Sequence, residues 1–142
     1  MPEPYILEFD IPDSAIDVNG HVNNVQYVQW MQDIAIAHSN AAGCTAASQA
    51  AGCAWFARSH RIEYARQAFA GERIQVKTWV ADARRSSSTR HYEFVRLSDG
   101  AKLAKGETCW IYVDAASGRP KSIPPVFAEL FGLNAKAAAA AE

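Results

Sequence analysis

The hydrophobic positions of residues 23–42 repeat with the period of an α-helix. Asn23 or Asn24 is a suitable N-cap, and Gln26 lies three residues after Asn23, as in a capping box. Gly43 suits the position that ends a helix. Because the run is apolar over much of its surface, we expect a helix buried on several sides. Its main face carries Tyr27, Met31, Ile34 and His38.

Around this helix the pattern is that of β-strands. Residues 5–11 predict a first strand, and from residue 53 onward aromatic and β-branched residues predict more. Asp99-Gly100 is a strong hairpin signal between the last two strands, and residues 124–133 predict a short C-terminal helix. A period of two is clearest at Ile74, Val76, Thr78 and Val80.

The elements therefore follow the order strand, helix and then four strands. Since short turns join most of the strands, we expect an antiparallel meander with the long helix packed on one face. Residues 45–52 are small and polar and predict a loop or a short helical turn. The fold class is α+β.

The composition narrows the class of protein. The 142 residues predict one domain over residues 1–134, followed by a disordered alanine-rich tail at 135–142 to which we assign no function. A net charge of −1 gives no sign of a nucleic-acid partner, and the apolar runs are too short for a membrane span. An odd number of cysteines without a CxxC motif, and no signal peptide, are typical of a cytoplasmic protein.

The segment 17–24, DVNGHVNN, concentrates polar side chains just before the predicted helix. Asp17, Asn19 and His21 are candidates for catalysis, because a carboxylate, an amide and an imidazole can hold or move a proton. The alternative is structural: Asn-Gly is a favoured turn, and Asp side chains often accept hydrogen bonds from turn amides.

Three segments carry a resemblance to a known family. DVNGHVNNVQYVQW, from residue 17, closely resembles the D-x-N-x-H-V-N-N-x-x-Y segment of plant acyl-ACP thioesterases and of bacterial 4-hydroxybenzoyl-CoA thioesterase-like proteins. Residues 61–80 look like their second and third strands, and residues 107–124 resemble their last strand. The resemblance covers about residues 5–131. It implies the hotdog fold, a curved antiparallel sheet of about five strands wrapped around one long central helix.

The resemblance also implies a role for each residue of the loop. Asp17 would activate water or attack the thioester carbonyl itself. The start of the helix, at the backbone amide of Asn24, would stabilise the oxyanion. The residues that match Asn19 and His21 in the plant-type enzymes belong to the catalytic set. Tyr27 is expected to line the acyl pocket or the core.

One segment departs from the plant pattern. Those enzymes carry a Glu-Cys pair in a Y-R-R-E-C run, whereas the matching run here is YARQA. Gln67 and Ala68 take the two positions, so a cysteine-based mechanism is excluded. Gln67 could position water but cannot act as a base. Glu63, the only carboxylate on that strand, is expected at the rim of the pocket.

A basic, hydroxyl-rich stretch, ARRSSSTRH at residues 83–91, suits the phosphates of coenzyme A. Arg119 and Lys121 could join it from a later loop. The alternative is an ordinary charged hairpin tip. The candidates within the stretch are Arg84, Arg85, Ser86, Ser87 and Arg90.

Together these features predict an acyl-CoA thioesterase that needs no cofactor. The four histidines are scattered, and no metal-binding spacing is present. Two alternatives stay open: an acyl-ACP thioesterase, and a hotdog protein that binds acyl-CoA without hydrolysing it. Since an open sheet leaves its edges uncovered, we expect a homodimer or a homotetramer.

Overall fold

The computed structural model describes residues 3–133, so the predicted tail at 135–142 lies outside the described residues. A short helix, and not a loop, follows Gly43. Within the described range, no helix combines the length and hydropathy needed to cross a membrane.

The elements are β1 (Tyr5–Asp10), a 3-10 turn (Asp13–Ala15), α1 (Asn24–Ala42), α2 (Cys44–Ala50), β2 (Cys53–Tyr64), β3 (Arg73–Val80), β4 (Ser87–Arg96), β5 (Lys102–Asp114) and α3 (Val126–Leu130).

The long helix begins and ends where its capping residues predict. Asn23 is the N-cap, and its side-chain oxygen accepts a hydrogen bond from the Val25 amide at 2.9 Å. The capping-box prediction is wrong in detail, since the amide of Gln26 donates to the Asn23 carbonyl and not to its side chain. Gly43 ends the helix with a φ of 85°, a conformation that costs glycine little.

The sheet is antiparallel, with strand order β1-β3-β4-β5-β2. The hairpin at Asp99-Gly100 joins β4 to β5 as predicted. The predicted meander is confirmed for β3, β4 and β5 but is wrong for β2, which pairs with β5 at the far edge and not with β3. Residues 65–72 separate β2 from β3, because their backbone forms hydrogen bonds with the segment before α1. The Gly71 amide donates to the Ile11 carbonyl, and the Ala68 carbonyl accepts from the Val22 amide.

The inner face of the sheet packs on α1 and forms the main core. Gly106 of β5 lets the helix approach closely, because a Cβ there would lie 3.0 Å from the Met31 sulfur. The expected alternation on β3 is confirmed. Buried side chains shared between the helix and the sheet include Tyr27, Met31, Ile34, Ile74, Val76, Phe94 and Leu103.

A second apolar cluster lies at the other end of α1. Phe127 and Phe131, from α3 and just after it, pack there against Cys44 and Val80. Between this cluster and the C-terminal half of α1 is a cavity of about 400 Å³, which we call the inner cavity. The fold therefore has a tightly packed end at the start of α1 and a hollow end beyond its middle.

Candidate active site

The loop before α1 is a closed, hydrogen-bonded turn. The amide of Asp17 donates to the His21 carbonyl at 3.0 Å, and the amide of Gly20 donates to the Asp17 carbonyl at 3.0 Å. Gly20 has a φ of 85°, which explains the glycine at this position. One carboxylate oxygen of Asp17, Oδ1, accepts the Asn19 amide at 2.9 Å. The structural interpretation of this loop is thus correct for one oxygen of Asp17.

The second oxygen of Asp17 is differently placed. Oδ2 accepts no hydrogen bond from the described part of the chain, and the side chain is 21% exposed. The His21 ring nitrogen Nδ1 lies 4.0 Å from Oδ1, which is close enough for an electrostatic interaction but too far for a direct hydrogen bond. Asn19 is exposed and contributes its amide to the turn. The loop therefore brings Asp17 and His21 together and leaves one carboxylate oxygen available.

The first turn of α1 supplies a hydrogen-bond donor beside this loop. Asn23 uses its side chain to pair the Val25 amide. The backbone amide of Asn24, the first residue of the helix, donates to no other described residue. Because the helix dipole is positive at this end, an unpaired amide here favours a negatively charged oxygen. The amide at the predicted position is thus unpaired among the described residues, and its role as an oxyanion donor stays a prediction.

Tyr64, which the sequence analysis did not select, fixes the start of the helix to the sheet. Its hydroxyl donates to the Asn24 carbonyl at 2.8 Å. Its ring packs edge-on against Tyr27, with centroids 5.4 Å apart. The sequence could have indicated Tyr64, since it is the last residue of β2 and the first residue of the YARQA run.

Tyr27 belongs to the core, and the expectation of a pocket-lining residue is corrected in favour of the core alternative. The side chain is 3% exposed and packs edge-on against Trp30 and Phe94. Burial raises the pKa of Tyr27 to about 12, so its phenol stays neutral. Tyr27 therefore packs in the core and supports the start of the helix.

Two further predicted site residues, Glu63 and Gln67, make their described contacts to residues other than Asp17. Glu63 is exposed and forms ion pairs with Arg61 and Lys105, both at 3.3 Å. Because Tyr64 faces α1 and side chains alternate along a strand, Glu63 points to the opposite face and is not at the rim of this site. Gln67 is exposed and contributes its carbonyl to a 3.4 Å contact with Arg96.

The basic residues form one group at the opposite end of the sheet, which we call the basic end. Residues 84–87 and 119–123 adjoin there, since the Ile123 amide donates to the Arg85 carbonyl at 2.7 Å. The backbone of Tyr112 links them further. Its amide donates to the Ser86 carbonyl, and its carbonyl accepts from the Lys121 amide, each at 2.8 Å. The structure thus brings together Arg84, Arg85, Ser86, Ser87, Arg119 and Lys121.

Arg90 is a correction to the predicted phosphate-binding group. It is 4% exposed and lines the inner cavity, so it cannot meet a phosphate at the surface. The two-residue alternation of β4 in the sequence could have predicted this burial, because Arg90 shares the inner face with Ser88, Tyr92 and Phe94. Its polar contacts are to His38 and Thr78.

The site shows no metal-binding arrangement. Among residues 3–133, no three His, Cys, Asp or Glu side chains are grouped as metal ligands would be. The chemistry available at the loop is that of a carboxylate, a nearby imidazole and an unpaired helix amide.

Comparison with known proteins identifies the family of the chain. Residues 11–131 match the family model of the thioesterase-like superfamily. The chain is 30% identical over 105 residues to the chloroplastic palmitoyl-acyl carrier protein thioesterase of Gossypium hirsutum. That match takes in 68% of this chain but only 22% of the cotton protein.

Solved structures show the same fold. The 1,4-dihydroxy-2-naphthoyl-CoA thioesterase Slr0204 from Synechocystis superposes with a TM-score of 0.81 at 14% identity, over 92% of this chain and 96% of that one. The hypothetical protein SAV2348 from Staphylococcus aureus, solved in complex with CoA, gives 0.82 at 13% identity, over 97% and 87%. The expected hotdog fold and α+β class are confirmed.

Proposed function

The chain belongs to the thioesterase-like superfamily, and from that premise we propose that it hydrolyses acyl-CoA thioesters to a free acid and CoA. One observation carries the proposal. In the loop, Asp17 Oδ1 accepts a hydrogen bond within the turn, whereas Oδ2 accepts none from the described residues. The helix that follows begins with the Asn24 amide, which has no partner among the described residues. A base and an oxyanion donor are the two groups that hydrolysis of an activated acyl group needs.

The reaction follows from these two groups. Asp17 Oδ2 takes a proton from water, whose oxygen bonds to the carbonyl carbon of the thioester. The carbonyl electron pair moves to its oxygen, which accepts the Asn24 N–H. The electron pair then returns to re-form the carbonyl, the carbon–sulfur bond breaks, and the CoA thiolate takes the proton from Asp17. In the alternative course Asp17 attacks first, and water hydrolyses the resulting anhydride.

The proposed active unit is a homodimer paired along β2. Within one chain the loop lies near Tyr64, whereas the inner cavity and the basic end lie near Trp55, about 30 Å away along the strand. The outer edge of β2 pairs with no described strand. Antiparallel pairing of two β2 edges about a twofold axis places each loop beside the partner's cavity and basic end.

An acyl-ACP thioesterase is the second candidate. It is favoured by the identity to the cotton palmitoyl-acyl carrier protein thioesterase. The acyl-CoA assignment is supported by the exposed arginines of the basic end, which suit CoA phosphates. An acidic carrier protein would use the same arginines, so only a comparison of the two substrates separates the candidates.

The test is release of free thiol from a panel of acyl-CoAs, with the same acyl groups presented on acyl carrier protein. We expect hydrolysis of at least one acyl-CoA, with a higher kcat/KM than for the matched acyl-ACP. Replacing Arg84 and Arg85 together by alanine should raise KM more than it lowers kcat. A wild-type protein that hydrolyses no member of the panel would contradict the proposal.

A further inference from the structure

The inner cavity holds a positive charge that no carboxylate among residues 3–133 neutralises. Arg90 is 4% exposed, and none of the described Asp or Glu side chains lies within ion-pair distance of it. Phe131 covers one side of the guanidinium, with its ring centre 5.4 Å from Cζ. An unpaired buried cation is costly, so such a group commonly marks a place where an anion binds.

The hydrogen bonds of Arg90 leave one edge of the guanidinium available. Nη1 donates two hydrogen bonds, to the His38 Nδ1 at 2.8 Å and to the Thr78 Oγ1 at 3.1 Å. Nε and Nη2 donate to nothing in the described part of the chain. These two nitrogens present the side-on pair of N–H groups that matches the two oxygens of a carboxylate.

His38 does not neutralise this charge. Burial, and then the positive charge of Arg90, lower the pKa of His38 to about 4, so the ring is neutral at pH 7. A neutral ring that accepts at Nδ1 carries its proton on Nε2. Burial lowers the pKa of Arg90 to about 10, which leaves the guanidinium protonated at pH 7.

The side chains around Arg90 complete the wall of the inner cavity. The guanidinium edge at Nε and Nη2 is the charged donor pair of this wall, and such a pair indicates a ligand with acceptor oxygens. Much of the remaining wall is apolar, with Ala35, Trp55 and Val80 among its residues.

We propose that the inner cavity binds a ligand with an apolar body and a carboxylate, and that Arg90 pairs with that carboxylate through Nε and Nη2. The volume of about 400 Å³ is within the range of small-molecule sites. The apolar wall favours a singly charged carboxylate over a strongly hydrated phosphate. The carboxylate has two sources: the far end of an acyl group that is still a thioester, or a free carboxylic acid. The first source rests on the proposed function, and the second does not.

The binding test needs no turnover. Octanoate and octanol share an apolar body, and their binding is measured by calorimetry or by the intrinsic tryptophan fluorescence of the protein, to which Trp55 and Trp110 of the cavity wall contribute. We expect octanoate to bind about tenfold or more tightly than octanol, since a hydrogen bond to a charged group stabilises strongly. Arg90→Met should abolish this preference, whereas Arg73→Met, which changes an exposed arginine on β3, should keep it. Equal binding of the two probes to the wild-type protein would overturn the proposal, whether or not Arg90→Met folds.

A kinetic comparison separates the two sources. If the acyl group supplies the carboxylate, the CoA thioester of octanedioic acid should have about a tenfold higher kcat/KM than octanoyl-CoA, and Arg90→Met should reverse this order. If free acid is the source, the two thioesters should be hydrolysed alike, and octanoate should still bind through Arg90. Failure to hydrolyse any thioester would remove the proposed function but leave the octanoate result unchanged.

Discussion

The two carboxylate oxygens of Asp17 are in different environments, and this difference decides how the loop is interpreted. Oδ1 accepts the Asn19 amide and holds the turn, while Oδ2 accepts nothing from the described residues. The sequence left a choice between a turn residue and a catalytic residue. The geometry assigns the first role to one oxygen and leaves the other oxygen available for the proposed chemistry.

At the residue scale, Asp17 and Arg90 differ in how far the sequence could predict them. Asp17 lies in a short motif whose chemistry depends on neighbours in the chain. Arg90 depends on the face of β4 on which it lies, and the hydroxyl-rich context suggested a surface loop. Ser88 and Arg90 continue the inner face of Tyr92 and Phe94, so strict use of the two-residue period would have placed Arg90 inside.

His38 makes stability depend on pH. Its folded pKa, about 4, lies below the ordinary value of 6.5, so the unfolded chain binds the proton more readily than the folded one. The neutral His38 therefore contributes fully to the free energy of unfolding above about pH 6.5, and this contribution is lost as the pH falls towards 4. We expect the free energy of unfolding, measured with urea, to fall over this window more steeply in the wild type than in His38→Gln. Parallel curves for the two proteins would show that His38 does not titrate in this way.

At the element scale, the sequence predicted the helix and most of the strands but not the position of β2. Hydrophobic period and capping residues are local, and they determined α1 from Asn24 to Ala42 within one residue. The partner of β2 is chosen by long-range pairing with β5 and by the bonds that residues 65–72 make to Ile11 and Val22. These long-range contacts could not be predicted from any of the short motifs in the sequence.

The N-cap of α1 connects helix stability to the site. Asn23→Ala removes the acceptor for the Val25 amide and should lower the free energy of unfolding by about 1 kcal/mol. Asn23→Asp keeps an acceptor and should match the wild type. Urea titration of the three proteins checks this order. An alanine variant as stable as the aspartate variant would show that the side-chain cap contributes nothing.

At the scale of the whole molecule, the parts of the proposed site lie at two ends of one sheet. The loop with Asp17 is near Tyr64, and the basic end with Arg84 and Arg85 is near the start of β2. In one chain the two lie about 30 Å apart. The proposed twofold pairing of β2 would bring the loop of one chain to the basic end of its partner, so the proposal requires a dimer for activity.

Mixing two variants, each with a lowered kcat/KM, tests this arrangement. Asp17→Asn lacks the base, and the double variant of Arg84→Ala with Arg85→Ala lacks the basic end. If subunits exchange freely, half of the dimers in an equal mixture carry one intact site, so about a quarter of the wild-type kcat/KM should return. A mixture of Asp17→Asn with Asp17→Ala should regain nothing. Absence of recovery with demonstrated subunit exchange would place the whole site in one chain.

The central claim is that Asp17 acts chemically and does not only hold the turn. Asp17→Asn tests it most directly, because the asparagine oxygen can still accept the Asn19 amide while the base is lost. The measurement is kcat for the best acyl-CoA, together with the thermal midpoint of unfolding, and Asp13→Asn serves as an exposed control on the same segment. The account predicts an unchanged midpoint and a kcat lowered about 100-fold or more. A kcat within about twofold of the wild type, at an unchanged midpoint, would contradict it.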